Sequence, residues 1–384
     1  MARPHRILYL TPGCFDKGGI SRYSRYQIEC LREIHGEAAV TVQSLLGPDE
    51  HSFETPFSVA WHAGGAGMGD KIRFAWRAVR ATLTDRPTHI HIAHVHFAPL
   101  ARLLALATGA RTVLNIYGLE IWSGLSVIRR LAMKQMDVVI ADCHYTADYA
   151  ARESLTETRP TVIWDCVDLE RFSPGPCPAE VRARYGLPDK DSHFVVMTLG
   201  RISARAWHKG YDRLLDAFAR MAPSCPTARL VFAGTGDAVG RLQDKAAALG
   251  VAEQVVFTGS VAEDDLPLVY RAASVFSLVS DRGKGRGEGI PLTPLEAGAC
   301  GAPILVGDQD GSQEAVVDGK NGFVCPSLDI ERQAEILGAL CADPAALAPL
   351  SAGAAEVARS HFGYRRFVDE HRQVYRNPAL GSSS

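Results

Sequence analysis

At 384 residues, 47% of them apolar and 22% charged, the chain has the length for two domains of ordinary globular composition. A formal net charge of −2 supplies no overall basic field, which argues against nucleic acid as the main partner. Nine cysteines without CxxC or metal-ligand spacing point to neither a disulfide framework nor a zinc site, and fit reduced, buried thiols in a cytosolic protein.

In chain order, Arg6 to Leu10 reads as a buried first strand ending in the turn Thr11-Pro12-Gly13, not as a signal peptide. Lys17-Gly18-Gly19-Ile20 and a helical pattern from Ser21 to about Ile34 follow. Strand, glycine turn and helix in that order open a doubly wound α/β domain, but GxGxxG is absent, so a bound dinucleotide is not expected. Further strands are predicted at 40–45, 89–96, 112–116, 138–141 and 162–164. The prolines Pro174, Pro176, Pro178 and Pro188 mark a linker carrying one short helix. The alternation then restarts, with strands at 194–199, 229–233, 255–257, 274–279 and 303–306 and helices at 211–221, 239–249 and 292–299. Helical patterns close the chain at 330–342, 345–360 and 364–375, and the tail from Gly381 reads as disordered. Alternation of this kind predicts two largely parallel sheets, each covered on both faces, with a cleft between the halves. No run of about 18 apolar residues exists to span a membrane.

Several features cluster where ligands of open parallel sheets bind, beyond the carboxyl ends of strands. Gly200-Arg201 follows a predicted strand, and Lys209-Gly210 precedes a helix. Arg grips a diphosphate with its fork and Lys acts as a point charge. Gly234-Thr235-Gly236 forms a second glycine corner. In GRGEGIPLTPLEAGACGAP, Glu288 sits in a loop and Glu296 on the helix it feeds, with either Pro291 or Pro294 suited to the first helical position. Solvated surface loops are the plainer reading of each feature alone.

Taken in order, Lys17-Gly18-Gly19-Ile20, Asp165-Cys166-Val167-Asp168, Gly200-Arg201…Lys209-Gly210, Gly234-Thr235-Gly236 and Glu288-x7-Glu296 resemble the retaining glycosyltransferases of family 4, with the GT-B fold, over about the whole chain. The resemblance implies an N-terminal Rossmann-like acceptor domain over 1–170, completed by a helix at 364–378, and a donor domain over 171–363. It implies transfer of a hexose from a nucleotide diphosphate sugar to a carbohydrate or lipid-linked hydroxyl, without cofactor or obligatory metal, by a cytoplasmic enzyme for which a peripheral place on the inner face of the plasma membrane is the alternative. Arg201 and Lys209 would hold the diphosphate and stabilise the leaving charge. Glu288 would contact the transferred sugar and Glu296 the nucleotide ribose. Backbone around Gly18, Gly19, Gly200, Gly234, Gly236, Gly289, Ile290, Pro291 and Leu292 would cradle phosphate and sugar. Three departures stand out: Tyr117-Gly118, with Glu120 two residues on, where the family has His-Gly; Asp165-Cys166 where it has Asn-Gly; and a longer segment between Arg201 and Lys209. A nucleotide-sugar epimerase of the same fold and a non-catalytic partner subunit are the rival readings. Paired carboxylates also suit a retaining glycosidase, which needs no diphosphate grip.

Two more stretches need weighing. His89, His91, His94 and His96 tempt a metal reading, but on one strand they would split between its faces. Lys71, Arg73, Arg77 and Arg80 flank an apolar face of Ile72, Trp76, Val79 and Leu83 on a predicted helix, and Ile128-Arg129-Arg130-Leu131 repeats that character. Such a face either enters the core or docks on an anionic membrane.

Overall fold

Short apolar runs alternating with amphipathic helices build two parallel sheets, one in each of the two units into which the chain divides. The computed structural model describes residues 5–16, 18–47 and 57–376. Lys17, positions 377 and 378 of the expected last helix and the tail from Gly381 lie outside the described residues.

Unit 1 comprises Met1–Cys166 and Tyr364–Ser384. Its elements are β1 (Ile7–Thr11), α1 (Gly19–His35), β2 (Val40–Ser44), β3 (Trp61–His62), α2 (Met68–Asp85), β4 (His89–Ile92), α3 (Ala98–Thr108), β5 (Arg111–Ile116), α4 (Leu119–Trp122), α5 (Val127–Lys134), β6 (Val138–Ala141), α6 (His144–Arg152) and β7 (Thr161–Val162). The sheet runs β3-β2-β1-β4-β5-β6-β7, with every pairing parallel. Its central strands are buried on both faces, which is why they read as unbroken apolar runs instead of alternating ones.

Two expectations are corrected here. The predicted strand 89–96 stops at Ile92, and Val95–Phe97 forms a 3-10 turn capped by the His94 side chain. His94 and His96 therefore lie beside each other at the turn, ring centroids 4.4 Å apart and planes tilted by 54°, while His89 and His91 stay in the sheet. Among the described residues no group of three or more His, Cys, Asp or Glu is placed to hold a metal. The second correction concerns α2. Its core contact is a narrow stripe of Phe74, Ala78 and Thr82, whereas Ile72, Trp76, Val79 and Leu83 are 63%, 58%, 39% and 62% exposed. The core reading of that wide face is excluded.

The C-terminal helix Tyr364–Arg376 completes unit 1, burying Phe367, Val368, His371, Val374 and Tyr375 beside α1 and the sheet. A buried polar network fastens it. His91 bonds the Tyr375 hydroxyl (2.6 Å) and Asn115 Oδ1 (2.8 Å), and Gln27 Nε2 meets His371 Nε2 at 2.7 Å. The Tyr9 hydroxyl donates to Gln27 Oε1 (2.7 Å). Burial pushes His91 down to about 3 and His371 down to about 4. In the unfolded chain both return to the ordinary value near 6.5, so between about pH 6.5 and 4 the unfolded state binds more protons. Stability present at neutral pH is thus lost as pH falls, on the order of 3 kcal/mol per histidine by pH 4. We expect the melting temperature to fall steeply from pH 6.5 to 4, and His91→Gln to flatten that slope; an unchanged slope would refute the assignment.

Unit 2 runs Val167–Gly363, starting four residues before the expected boundary because the Val167 N–H donates to Phe362 O (2.8 Å) and pins the neck of the unit. It contains α7 (Ala179–Tyr185), β8 (Phe194–Leu199), α8 (Tyr211–Met221), β9 (Ala228–Ala233), α9 (Val239–Ala248), β10 (Val255–Phe257), α10 (Leu266–Tyr270), β11 (Val275–Leu278), α11 (Leu292–Ala299), β12 (Ile304–Gly307), β13 (Gly322–Cys325), α12 (Ile330–Ala342) and α13 (Leu347–Phe362). The parallel sheet runs β10-β9-β8-β11-β12-β13. The expectation that all cysteines stay as thiols fails at one pair. Cys225, just after α8, and Cys341, near the end of α12, form a disulfide because α8 and α12 lie side by side and bring the two Cα atoms to 6.4 Å. The other seven cysteines form no disulfide and are buried. Among the described residues no single helix is long and apolar enough to cross a membrane.

Candidate active site

The sites expected in unit 2 gather at the carboxyl ends of its strands, where glycine is demanded by contact. A Cβ on Gly234 (φ 131°) would run into the Gly200 carbonyl, and one on Gly236 into the Ile202 carbonyl. The close approach this permits is fixed by Gly200 N–H to Ala233 O (2.9 Å) and Ile202 N–H to Thr235 O (2.9 Å). The loops after β8 and β9 are thereby locked together. Ala204 N–H adds a bond to Asp237 Oδ1 (2.8 Å).

The long segment between Arg201 and Lys209 coils into a 3-10 turn, Ala204–Lys209, opened by Ser203 Oγ accepting from Arg205 N–H. Gly210 closes it at φ 76°, packed so tightly on the Val279 carbonyl that no Cβ would fit. This turn aims His208 and Lys209 at one carboxylate. Lys209 Nζ lies 2.8 Å, and His208 Nε2 3.0 Å, from Glu288 Oε1. His208 is the neighbour of this carboxylate that sequence reading missed; its only signal was adjacency to Lys209.

Glu288 is held by its backbone too. Its N–H donates to Asp310 Oδ2 (2.8 Å) and its carbonyl accepts from Gly311 N–H (3.0 Å). Burial works to raise the Glu288 carboxyl, but Lys209 and His208 outweigh it and hold the group down at about 2. Burial likewise opposes the Lys209 charge, and Glu288 more than compensates, so the ammonium stays protonated above the ordinary lysine range. The pair is ionised at any working pH. Asp310, itself buried, is pushed up by burial and stabilised by the Ser312 side chain and the Glu288 amide.

Glu296 sits on α11, 1% exposed, with Oε2 accepting from the Tyr270 hydroxyl (2.9 Å). Neither expected proline opens that helix at its first position: Pro291 is the N-cap and Pro294 lies in the first turn, where a missing N–H costs nothing. Gly289, Ile290 and Leu292 complete the loop and first turn between the two glutamates. Arg201 is exposed and makes no hydrogen bond or ion pair among the described residues.

Unit 1 holds the remaining expected residues. Gly18 is the N-cap of α1 and Gly19 its first residue, both facing open space, and no side chain caps that helix end. Tyr117 follows β5, its ring edge-on to Tyr23 and its hydroxyl buried without a partner among the described residues. Glu120 Oε1 accepts from the Tyr117 N–H (2.6 Å), and burial pushes the Glu120 carboxyl up to about 7 against the pull of nearby backbone N–H groups.

The family profile for glycosyltransferase family 4 matches residues 17–171, and that for group 1 glycosyl transferases matches residues 182–359. By both of its halves the chain belongs to the glycosyltransferase families of these profiles, group 1 and family 4, and its fold is GT-B. Among the relatives of this glycosyltransferase is the GDP-mannose-dependent alpha-(1-6)-phosphatidylinositol monomannoside mannosyltransferase of Mycolicibacterium smegmatis, 37% identical over 64% of this chain and 66% of that protein. D-inositol 3-phosphate glycosyltransferase 1 of Catenulispora acidiphila is 37% identical over 56% of this chain and 51% of its own length. The match thus spans just under two thirds of the first relative and about half of the second. The fold of the glycosyltransferase is shared with Anabaena HepE, solved in complex with UDP (TM-score 0.77, 18% identity, covering 97% of this chain and 99% of that one). It is shared equally with sucrose-phosphate synthase from Thermosynechococcus elongatus (TM-score 0.77, 19% identity, covering 98% and 100%).

Proposed function

We propose that this chain transfers a hexose from a nucleotide diphosphate sugar to a hydroxyl of a lipid-linked or carbohydrate acceptor, with retention of the anomeric configuration. The observation that carries this reading is the Lys209–Glu288–His208 cluster on locked glycine corners at the strand ends of unit 2. A fixed cation there, with Arg201 nearby in sequence and uncommitted, suits the diphosphate, and Glu288 suits the hydroxyls of the sugar. Glu296 takes the ribose. Unit 2 is the donor-binding half, and unit 1, which carries Gly18, Gly19, Tyr117 and Glu120, is the acceptor-binding half. Relatives named for GDP-mannose and for a phosphatidylinositol mannoside make a GDP-hexose and an inositol-bearing glycolipid the first pair to try. The test is a thermal-shift screen of GDP-, UDP- and ADP-hexoses, since a ligand that binds the native state raises its stability. A shift of several degrees with one of them is expected; no shift with any would overturn the reading. The cations take the charge work that a metal performs elsewhere, so EDTA is expected to leave turnover within twofold, and a loss reversed by Mg²⁺ or Mn²⁺ would contradict this.

The reading extends to an anionic membrane, with the enzyme on the cytoplasmic side. On α2, Met68, Ile72, Trp76 and Leu83 are more than half exposed, as are Leu103 and Leu106 on α3 and Val127, Ile128 and Leu131 on α5. α3 packs against both other helices, so the three sets belong to neighbouring elements. Lys71, Arg73, Arg77 and Arg80, with Arg129 and Arg130, supply cations around them. Apolar tips ringed by cations match an interface of anionic headgroups over acyl chains. Trp76→Glu is expected to lower partitioning onto phosphatidylglycerol vesicles about tenfold, as the lost apolar burial and added charge require. Equal flotation of wild type and variant would remove the membrane from the reading.

A further inference from the structure

We propose that His208 is a positioning residue: it keeps Glu288 in place for the sugar while Lys209 serves the donor diphosphate. The inference rests on the nucleotide-sugar reading and adds a residue and a division of labour to it.

Lys209 has one ammonium and two claims on it. Its Nζ is 2.8 Å from Glu288 Oε1, and the proposed function also assigns it the diphosphate. Lys offers a compact point charge on a flexible stem, so it shifts readily between neighbouring anions. As it shifts, Glu288, whose side chain is only 19% exposed, loses much of its counter-charge in a poorly solvated place. A buried carboxylate left without any partner is strongly destabilised and moves or takes up a proton. Either outcome would remove the acceptor that the hexose hydroxyls require.

His208 prevents this because it bonds the same oxygen from a fixed position. Its side chain is 6% exposed, and its carbonyl accepts from Asp281 N–H (2.8 Å). The turn that carries it is locked by Gly210 against Val279. Its Nδ1 is buried without a hydrogen-bond partner among the described residues, so nothing but Glu288 orients the ring through hydrogen bonds. A histidine retained only for packing would not leave one nitrogen unsatisfied while placing the other 3.0 Å from a functional carboxylate. The charged groups around it fall into two sets. Lys209 and Glu288 meet at the shared oxygen; Asp281 is neutralised by Arg213 (2.7 Å), and Asp310 is turned to the Glu288 amide.

The test compares wild type, His208→Phe and His208→Gln with whichever hexose donor gives the thermal shift. Binding of the free nucleoside diphosphate is measured by calorimetry, and its release from the donor is measured as turnover. Phe keeps the volume and removes the N–H. Gln sets an amide N–H near the position of Nε2. We expect His208→Phe to lose at least tenfold in kcat while nucleoside diphosphate affinity stays within threefold, and His208→Gln to recover most of that loss. Retained nucleoside diphosphate binding also shows that the variant is folded. A kcat for His208→Phe within twofold of wild type, or His208→Gln as impaired as His208→Phe, would overturn the inference alone. A wild type that binds no nucleotide sugar would overturn the underlying reading with it.

Discussion

Replacing Lys209 with alanine is expected to lower kcat by about 10²- to 10³-fold, the roughly 3–4 kcal/mol that removing one preorganised donor to a developing oxyanion costs. The effect is large because the ammonium is charged and close by before any charge develops: the 3-10 turn presents it, and Glu288 keeps it protonated. A surface cation would contribute at most about 1 kcal/mol. Stability separates the two basic residues. Arg201 is exposed and unpaired among the described residues, so Arg201→Ala should cost turnover with a change in stability within about 0.5 kcal/mol. Lys209→Ala leaves Glu288 buried with His208 alone, and its melting temperature should drop measurably. A loss of turnover below tenfold in a folded Lys209→Ala protein would sink the diphosphate assignment.

The two glutamates of the GEGIPLTPLE segment should fail in different ways. Glu288→Gln keeps the shape but removes the charge that Lys209 and His208 both address. We expect turnover to fall about 10²-fold, with nucleoside diphosphate binding changed less than threefold, as for an interaction made mainly in the transition state. In its proposed ribose role, Glu296 loses its charge in Glu296→Gln, which should cost about tenfold in donor affinity, the scale of one charge-assisted hydrogen bond, with little change in kcat at saturation. Calorimetry with the nucleoside diphosphate and steady-state kinetics with the donor distinguish them. Identical profiles for both variants would mean that the sugar and ribose roles are assigned wrongly.

Much of this was legible in the residues, and the failures share a cause. Strand 194–199 and helices 211–221, 292–299 and 330–342 were bounded correctly because each is a clean periodic run between breakers. β3 and β13 were not anticipated. The first has only two residues, and the second opens on Gly322, pressed against the Ile304 carbonyl, which reads as a turn. Lys209 and Glu288 were visible as a cation before one helix and a carboxylate in the loop feeding another. His208 was not, because its value depends on a carboxylate eighty residues on. The Cys225–Cys341 bridge was hidden in the same way, its partners being 116 residues apart. For α2 the pattern was seen but not its orientation: periodicity reports that one face is apolar, not which stripe meets the sheet. The slim Phe74–Ala78–Thr82 stripe won that contact.

The route of the chain through unit 1 sets an order of events during synthesis. Strands β1 to β7 leave the ribosome before Val167–Gly363, but the helix that caps their α1 side appears only after it. Domains generally fold as they emerge, so unit 2 can close upon itself, neck pinned at Val167, while unit 1 waits incomplete. In that interval His91 and Gln27 lack Tyr375 and His371, and the apolar surface of α1 meets water. A nascent chain stopped near residue 363 would carry a finished unit 2 on an unfinished unit 1, a natural substrate for chaperones.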